Sequence, residues 1–139
     1  MIFVFQLSPA PIKVELAAVT VKVGQSVQAS AKVTIPSPYH AYQNPPFSEF
    51  ENPLKLVGTS KAITLNQFVY PPGLAKVIAG GESRIYEGVV TVKFRVTAPK
   101  SAKPGVIRIP VRVEYQLCTA TTCLPPTSLT TSLSVRVTK

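Results

Sequence analysis

The chain has 139 residues, of which 45% are apolar; this composition excludes a disordered protein and predicts one globular domain, residues 1–139. Its net charge of +9 comes from basic residues that alternate with apolar ones, as in VKFRV and VIRIPVRV, so we expect a solvated strand face and no nucleic-acid site. No apolar run approaches the ~20 residues that span a bilayer, and we expect no direct membrane insertion of this segment.

The chain opens with MIFVFQLSPAP, which has an apolar run but no basic residues before it. It also lacks the apolar stretch of ~7 to 15 residues that a secretory signal contains. We interpret residues 1–10 as an edge segment or a trimmed end.

Segments rich in Val, Ile and Thr with a period of two then follow along the chain. They are IKVELAAVTVKV, SVQASAKVTI, NPLKLVG, IYEGVVTVKFRVTA, GVIRIPVRVEYQLC and SLTTSLSVRVT. Turn-forming glycines and prolines separate them, and no long stretch has a helical period. Seven to nine short strands predict an all-β fold, an immunoglobulin-like antiparallel β-sandwich. Because proline cannot donate to a β-ladder, Pro110 predicts an edge position or a bulge in its strand.

Two longer stretches read as irregular. The first, residues 37–53, is rich in aromatic side chains; the second, residues 66–83, is apolar but broken by prolines and glycines. Loops normally run over the wet surface, so an apolar loop is expected to cover something or to be covered.

The only two cysteines lie in YQLCTATTCLPP. Cys118 and Cys123 flank a four-residue hairpin connection, and opposite residues of such a pair are close enough for a disulfide. Closing so short a loop stabilises a fold by only about 2 kcal/mol, which favours redox work over stapling. No Lys, Arg or His adjoins either cysteine, so a strongly activated thiol is not predicted. From the spacing, a redox pair and a structural clip both stay open.

Other chemistries find little support in the residues. His40 is the only histidine and the chain has no aspartate, so we expect neither a metal site nor a Ser-His-Asp triad. The GG pair at 80 and 81 lacks the flanking pattern of a phosphate loop, and we expect no cofactor.

Three segments, YQLCTATTCLPP, HAYQNPP and GGESRIYEG, together resemble the amino-terminal periplasmic domain of the thiol:disulfide interchange protein DsbD, a family also called disulfide bond corrector protein. The resemblance runs from about Pro11 to Val137. It implies an immunoglobulin-like domain in the periplasm or another extracytoplasmic compartment, within a larger transmembrane reductase. It also implies a redox-active disulfide that takes electrons from a thioredoxin-like donor domain and passes them to oxidised periplasmic thiol proteins.

Carried over residue by residue, the resemblance implies that Cys123 forms the mixed disulfide with a partner and that Cys118 resolves it. It places a cap loop over the cysteines in residues 74–79, where the best-known members use a phenylalanine and this chain has Lys76, Val77, Ile78 and Ala79. It also aligns three rings with aromatic positions that line the cysteine site, namely Tyr39, His40 and Tyr42.

The favoured interpretation is therefore a protein-disulfide reductase, an oxidoreductase domain that works by thiol-disulfide exchange and electron transfer. The alternative is an immunoglobulin-like binding or interaction module whose Cys118–Cys123 bond only clips a hairpin. Polyanion binding through the basic strand faces ranks last.

Overall fold

The computed structural model describes residues 12–78 and 81–139, and within them it contains eleven β-strands and no helix. In the described part of the chain there is accordingly no helix that is long and apolar enough to cross a membrane. Residues 1–10, interpreted above as an edge segment or a trimmed end, lie outside the described residues. The strands are β1 Lys13–Leu16, β2 Val19–Lys22, β3 Ser26–Ile35, β4 Ala41–Tyr42, β5 Lys55–Gly58, β6 Thr64–Val69, β7 Leu74–Ile78, β8 Gly81–Tyr86, β9 Gly88–Thr97, β10 Gly105–Tyr115 and β11 Thr127–Thr138.

Two four-stranded sheets form the body of the domain, in the orders β1-β3-β9-β6 and β2-β11-β10-β5. Their long strands alternate between core and solvent: in β9, Val92, Phe94 and Val96 are buried while Lys93 is exposed. The inward side chains of both sheets join in one apolar core. The immunoglobulin-like β-sandwich predicted from the period-two pattern is confirmed.

The first predicted strand is divided between the two sheets. Its first half, β1, pairs antiparallel with β3, and its second half, β2, pairs parallel with β11. The chain crosses from one sheet to the other at Ala17 and Ala18, two small exposed residues. One segment thus closes the edge of both layers.

Pro110 lies in β10, which is flanked by β11 and β5 and is not an edge strand. The register with β11 is unbroken, with Pro110 opposite Ser132, so the expectation of an edge strand or a bulge is wrong. The physical reason is that β5 is short and pairs with β10 only from Val111 to Glu114. The missing N–H therefore falls where that pairing ends, and the Pro110 carbonyl still accepts a hydrogen bond from Thr59 N at 3.1 Å.

A third sheet, in the order β4-β8-β7, lies at the end of the sandwich where β3 and β10 finish and β9 and β11 begin. Residues 66–83 are consequently not a loop: their described part comprises the end of β6, β7 and the start of β8. The sequence concealed these strands because β7 is exposed on both faces and its residues LAKVI do not alternate. This small sheet carries the residues that surround the cysteines.

Candidate active site around the disulfide

Cys118 and Cys123 form a disulfide across a tight hairpin. Their Cα atoms are 4.0 Å apart and the two residues pair directly in antiparallel fashion. Leu124 N donates to the Leu117 carbonyl at 2.8 Å, and Thr119 N donates to the Thr122 carbonyl at 2.7 Å. The four-residue hairpin predicted from the spacing is confirmed.

The side chain of Thr119 also holds the hairpin loop in shape. Its Oγ1 accepts hydrogen bonds from Thr122 N at 3.1 Å and from Thr121 N at 3.4 Å. A threonine hydroxyl that binds backbone amides two and three residues further on stabilises a turn. The loop that presents the disulfide is therefore ordered by its own residues.

The two cysteines differ sharply in exposure. Cys118 is completely buried, whereas Cys123 is exposed to solvent. A thiolate that approaches from solution therefore meets Cys123, and Cys118 is reached only through it. In thiol-disulfide exchange, access to a sulfur is one of the factors that decide which sulfur is attacked.

Residues 40–42 connect the disulfide hairpin to the third sheet. On one side, His40 exchanges both backbone hydrogen bonds with Cys118, at 2.9 and 3.0 Å. On the other side, Ala41 and Tyr42 pair with Tyr86 and Ile85 of β8. The hairpin, residues 40–42, β8 and β7 thus form one continuous layer at the end of the sandwich.

The His40 ring lies inside this layer, with only 4% of its surface exposed. Its Nε2 has no hydrogen-bond partner among the described residues, and the ring contacts Tyr42 edge-on with the centroids 5.8 Å apart. Burial lowers the pKa of His40 below its ordinary value of 6.5; Lys76 acts in the same direction and Glu87 and Glu51 oppose it. The imidazole is therefore neutral near pH 7.

The Tyr42 hydroxyl lies 3.8 Å from Cys123 Sγ. Burial raises the pKa of Tyr42, and the carboxylate of Glu51 raises it further. The phenol therefore keeps its proton and is the donor toward the sulfur, because a disulfide sulfur carries no hydrogen.

A groove of about 450 Å³ opens beside Cys123. Its walls come from Tyr42, from the facing ends of β7 and β8, from hairpin residues 119–123, and from Ser48, Phe50 and Glu51. Phe50 stands at this groove with 86% of its surface exposed, and Glu51 accepts a hydrogen bond from the buried Ser83 Oγ. In the sequence, Phe50 is one of the aromatic side chains of residues 37–53, and it was not predicted as a site residue.

The residues predicted to form the cap and to line the site do not all lie next to the disulfide. Lys76 forms an ion pair with Glu87 at 3.0 Å and Val77 is 80% exposed. Ile78 is half-buried and lines the groove together with Cys123, while Ala79 lies outside the described residues. Tyr39 is half-buried and packs against the main core. The structure therefore brings Ile78, His40 and Tyr42 to the disulfide layer.

The fold and the site together define a class: an immunoglobulin-like domain that presents one exposed cysteine of a disulfide at the end of its sandwich. The sequence pattern of the family described as "Thiol:disulfide interchange protein DsbD, N-terminal" matches residues 8–135. The chain belongs to this family. Family membership and the Cys118–Cys123 disulfide support thiol-disulfide exchange as its general chemistry.

Solved structures of three related domains share the fold. The N-terminal periplasmic domain of ScsB from Proteus mirabilis matches with a TM-score of 0.67 at 14% identity, over 94% of this chain and 49% of that chain. The reduced DsbD N-terminal domain of Neisseria meningitidis matches with a TM-score of 0.50 at 20% identity, over 78% of this chain and 77% of that chain. The complex of the DsbD and PilB N-terminal domains from the same organism matches with a TM-score of 0.52 at 20% identity, over 92% of this chain and 88% of that chain.

The chain spans about half of the ScsB chain that it matches. No curated protein sequence matches it significantly. The related DsbD and ScsB domains agree with this chain in their immunoglobulin-like architecture, and the ScsB domain is described as periplasmic.

Proposed function

We propose that this domain is a periplasmic or extracytoplasmic relay that transfers two electrons from a thioredoxin-like donor domain to oxidised thiol proteins, as part of a larger transmembrane reductase. The observation that carries the proposal is the unequal burial of one disulfide, with Cys123 exposed and Cys118 completely buried. A bond that served only to clip the hairpin has no need for an exposed sulfur beside an open groove.

In the delivering direction, the Cys123 thiolate attacks a disulfide of the oxidised substrate protein. One substrate sulfur leaves as a thiolate and the other is held in a mixed disulfide with Cys123. Cys118 then attacks Cys123 Sγ, the Cys118–Cys123 bond forms, and the second substrate sulfur leaves with its electron pair. The substrate is reduced by two electrons and the domain is oxidised by two.

In the recharging direction, a thiolate of the donor attacks the exposed Cys123 Sγ. Cys118 leaves as a thiolate, and a second donor thiol releases the reduced domain. The same sulfur therefore serves both partners, and the groove beside it is the surface on which each of them is expected to dock. The complex of DsbD and PilB N-terminal domains is the related precedent for a protein partner.

The cap belongs to the same proposal. We assign it to Lys76, Val77 and Ile78 of β7 together with Ala79, which lies outside the described residues; Ile78 is the side chain that borders the groove. An aliphatic rim beside Cys123 restricts the approach of small oxidants to the reduced pair. Its displacement by a docking protein admits the correct partner.

Trapping experiments test the relay. The Cys118→Ala variant retains the attacking cysteine. With a thioredoxin-like donor whose second cysteine is also replaced, it is expected to accumulate a mixed disulfide on a non-reducing gel. The Cys123→Ala variant retains only the buried cysteine and is expected to form none. Equal trapping by Cys123→Ala would overturn the assignment of roles.

A redox equilibrium of the folded domain separates the relay from the alternative, a binding module with a structural clip. The state of Cys118 and Cys123 is read by thiol alkylation and mass against graded dithiol buffers. A relay disulfide exchanges reversibly while the fold stays intact. A disulfide that is reduced only on unfolding would identify the clip.

A further inference from the structure

His40 Nε2 is an exception to the rule that buried polar atoms are hydrogen-bonded. The atom is sealed from solvent and has no partner among residues 12–78 and 81–139. Such groups are rare in native proteins, because burying an unpaired acceptor forfeits its bonds to water. With the ring proton on Nδ1, Nε2 is an acceptor, and an acceptor left without a partner points to a donor that is present only in another state of the molecule.

The position of His40 identifies that donor. His40 and Cys118 exchange both backbone hydrogen bonds, so they are directly opposite each other and their side chains leave the same face of the layer. Tyr42, two residues further along the strand, is on that same face and contacts Cys123. The imidazole, the phenol and both sulfurs therefore share one side of the layer.

The buried sulfur has a specific need for a proton acceptor. Cys118 is completely buried, and its thiolate would form away from water, where a charge is poorly solvated. In the oxidised domain its sulfur carries no hydrogen and has nothing to donate. After reduction it carries an S–H group opposite an unpaired imidazole nitrogen.

We propose that His40 Nε2 is the proton acceptor for the Cys118 thiol in the resolving step, an inference that rests on the proposed relay function. As Cys118 Sγ attacks Cys123 Sγ, its proton passes to Nε2, the Cys118–Cys123 bond forms and the bond from Cys123 to the substrate sulfur breaks. The substrate thiolate leaves with the electron pair and takes a proton from the imidazolium or from water. In recharging, the donor thiol gives up a proton as it becomes the attacking thiolate; a proton passes from there or from water to Nε2, and from Nε2 to the departing Cys118 thiolate.

The groups around the ring suit this role. Burial and Lys76 keep the imidazole neutral near pH 7 and so able to accept a proton, while Glu87 and Glu51 favour the imidazolium once it forms. The phenol of Tyr42 meets the ring edge-on and contacts the other sulfur.

The test uses the reduced domain and an excess of the disulfide 5,5′-dithiobis(2-nitrobenzoate), whose released thiolate is coloured. The first release of colour reports attack by Cys123, and the second reports resolution by Cys118. The His40→Phe variant is expected to slow the second phase on the order of 100-fold at about pH 7, the scale of general base catalysis, and to leave the first phase unchanged. Above about pH 9.5 the difference is expected to narrow, because a higher pH increasingly ionises even a buried thiol without the imidazole. The matched control is Tyr39→Phe, a change on the adjacent ring, which is expected to alter neither phase.

The outcomes separate this inference from the relay itself. An unchanged second phase in folded His40→Phe, with a normal first phase, overturns the role of His40 and leaves the relay standing. A Cys118–Cys123 disulfide that is reduced only when the domain unfolds overturns the relay. If His40→Phe does not fold, the single histidine of the wild-type domain is titrated by proton NMR in both redox states. A midpoint that differs between the oxidised and reduced domains supports the pairing with Cys118, and an identical midpoint contradicts it.

Discussion

The hydroxyl of Tyr42 lies 3.8 Å from the sulfur of Cys123. This contact is the only side-chain hydrogen bond to either cysteine among the described residues. The phenol is held there by the pairing of Tyr42 with Ile85 and by Leu54 N, which donates to the Tyr42 carbonyl at 2.9 Å. Because the pKa of Tyr42 is raised by burial, its proton is available to a sulfur that becomes negatively charged. The exposed cysteine therefore has a donor ready for its thiolate.

Replacing Tyr42 with phenylalanine removes that donor and keeps the ring. The Cys123 thiolate is then less stabilised, and its alkylation by iodoacetamide at about pH 7 is expected to slow about 3- to 10-fold. This is less than the full loss of a hydrogen bond to a charged group, because the more basic thiolate that remains is also more nucleophilic. The rate is measured by mass in the Cys118→Ala background, which isolates Cys123. Tyr39→Phe removes a phenol that does not contact the disulfide. An equal slowing in that control would show that the effect does not come from the Tyr42 contact.

The hairpin loop offers a second test. Thr119→Val removes the hydroxyl that binds the amides of Thr121 and Thr122, and it keeps the size of the side chain. A looser loop holds the two thiols together less well, so the disulfide is expected to be about 3- to 10-fold easier to reduce, which corresponds to the loss of about 1 kcal/mol of hydrogen bonding. The equilibrium constant for reduction of the Cys118–Cys123 disulfide is measured against glutathione. Thr121→Val is the control, since the Thr121 hydroxyl is exposed and makes no hydrogen bond within the described chain; a comparable change there would contradict the prediction.

The period-two pattern was sufficient to predict the sandwich, because β3, β9, β10 and β11 each bury alternate residues over ten or more positions. It was insufficient for the third sheet. Strand β4 has only two residues, too few to show an alternation, and β7 is exposed on both faces, so it has no buried face to impose a pattern. Short strands of this kind are defined by their hydrogen-bonded neighbours, which the sequence does not reveal.

The hairpin and its cysteines were predictable from spacing, because the partners are only five residues apart. The pairing of His40 with Cys118 was not predictable from spacing, since they are seventy-eight positions apart and the contact depends on how the ends of β3 and β10 meet. Phe50 was missed for a related reason. An aromatic residue usually indicates core, and only the structure shows that this ring is largely exposed at the groove.

Gly73 lies where two segments of the chain pass so close together that there is no room for a side chain. A Cβ placed on it would lie 2.8 and 2.9 Å from the backbone oxygen and nitrogen of Ile85, which pairs with Tyr42 in the disulfide layer. Gly73→Ala is therefore expected to lower the free energy of unfolding by about 1 to 3 kcal/mol, the cost of overpacking. Urea unfolding measures this loss of unfolding free energy relative to the wild-type domain. Gly81→Ala is the control, because its nearest neighbouring atom is 3.9 Å away; equal losses in both variants would contradict the steric argument.

The buried histidine predicts a pH dependence of stability. The pKa of His40 in the folded domain is below 6.5, so the unfolded chain binds more protons and stability falls as the pH drops below that value. The slope in this range is expected to reach at most about 1.4 kcal/mol per pH unit, the limit for one proton. Urea midpoints between about pH 7.5 and pH 5.5 measure it, above the range where carboxylates titrate. The His40→Phe variant retains Lys76, Glu87 and Glu51. It is expected to lose most of the pH dependence of stability, and an unchanged dependence would show that other groups cause it.

Phe50 tests whether the groove beside Cys123 is the docking surface for protein partners. Its ring is 86% exposed, so Phe50→Ser is expected to leave thermal stability and the reaction with a small disulfide unchanged. Reduction of the domain by a thioredoxin-like protein is expected to slow about 5- to 10-fold, because an exposed aromatic anchor at an interface contributes about 1 kcal/mol or more. The matched control, Val106→Ser, removes an apolar side chain that is 56% exposed at the other end of β10. If the two variants are reduced at the same rate as the wild-type domain, the partner does not dock on the groove through Phe50.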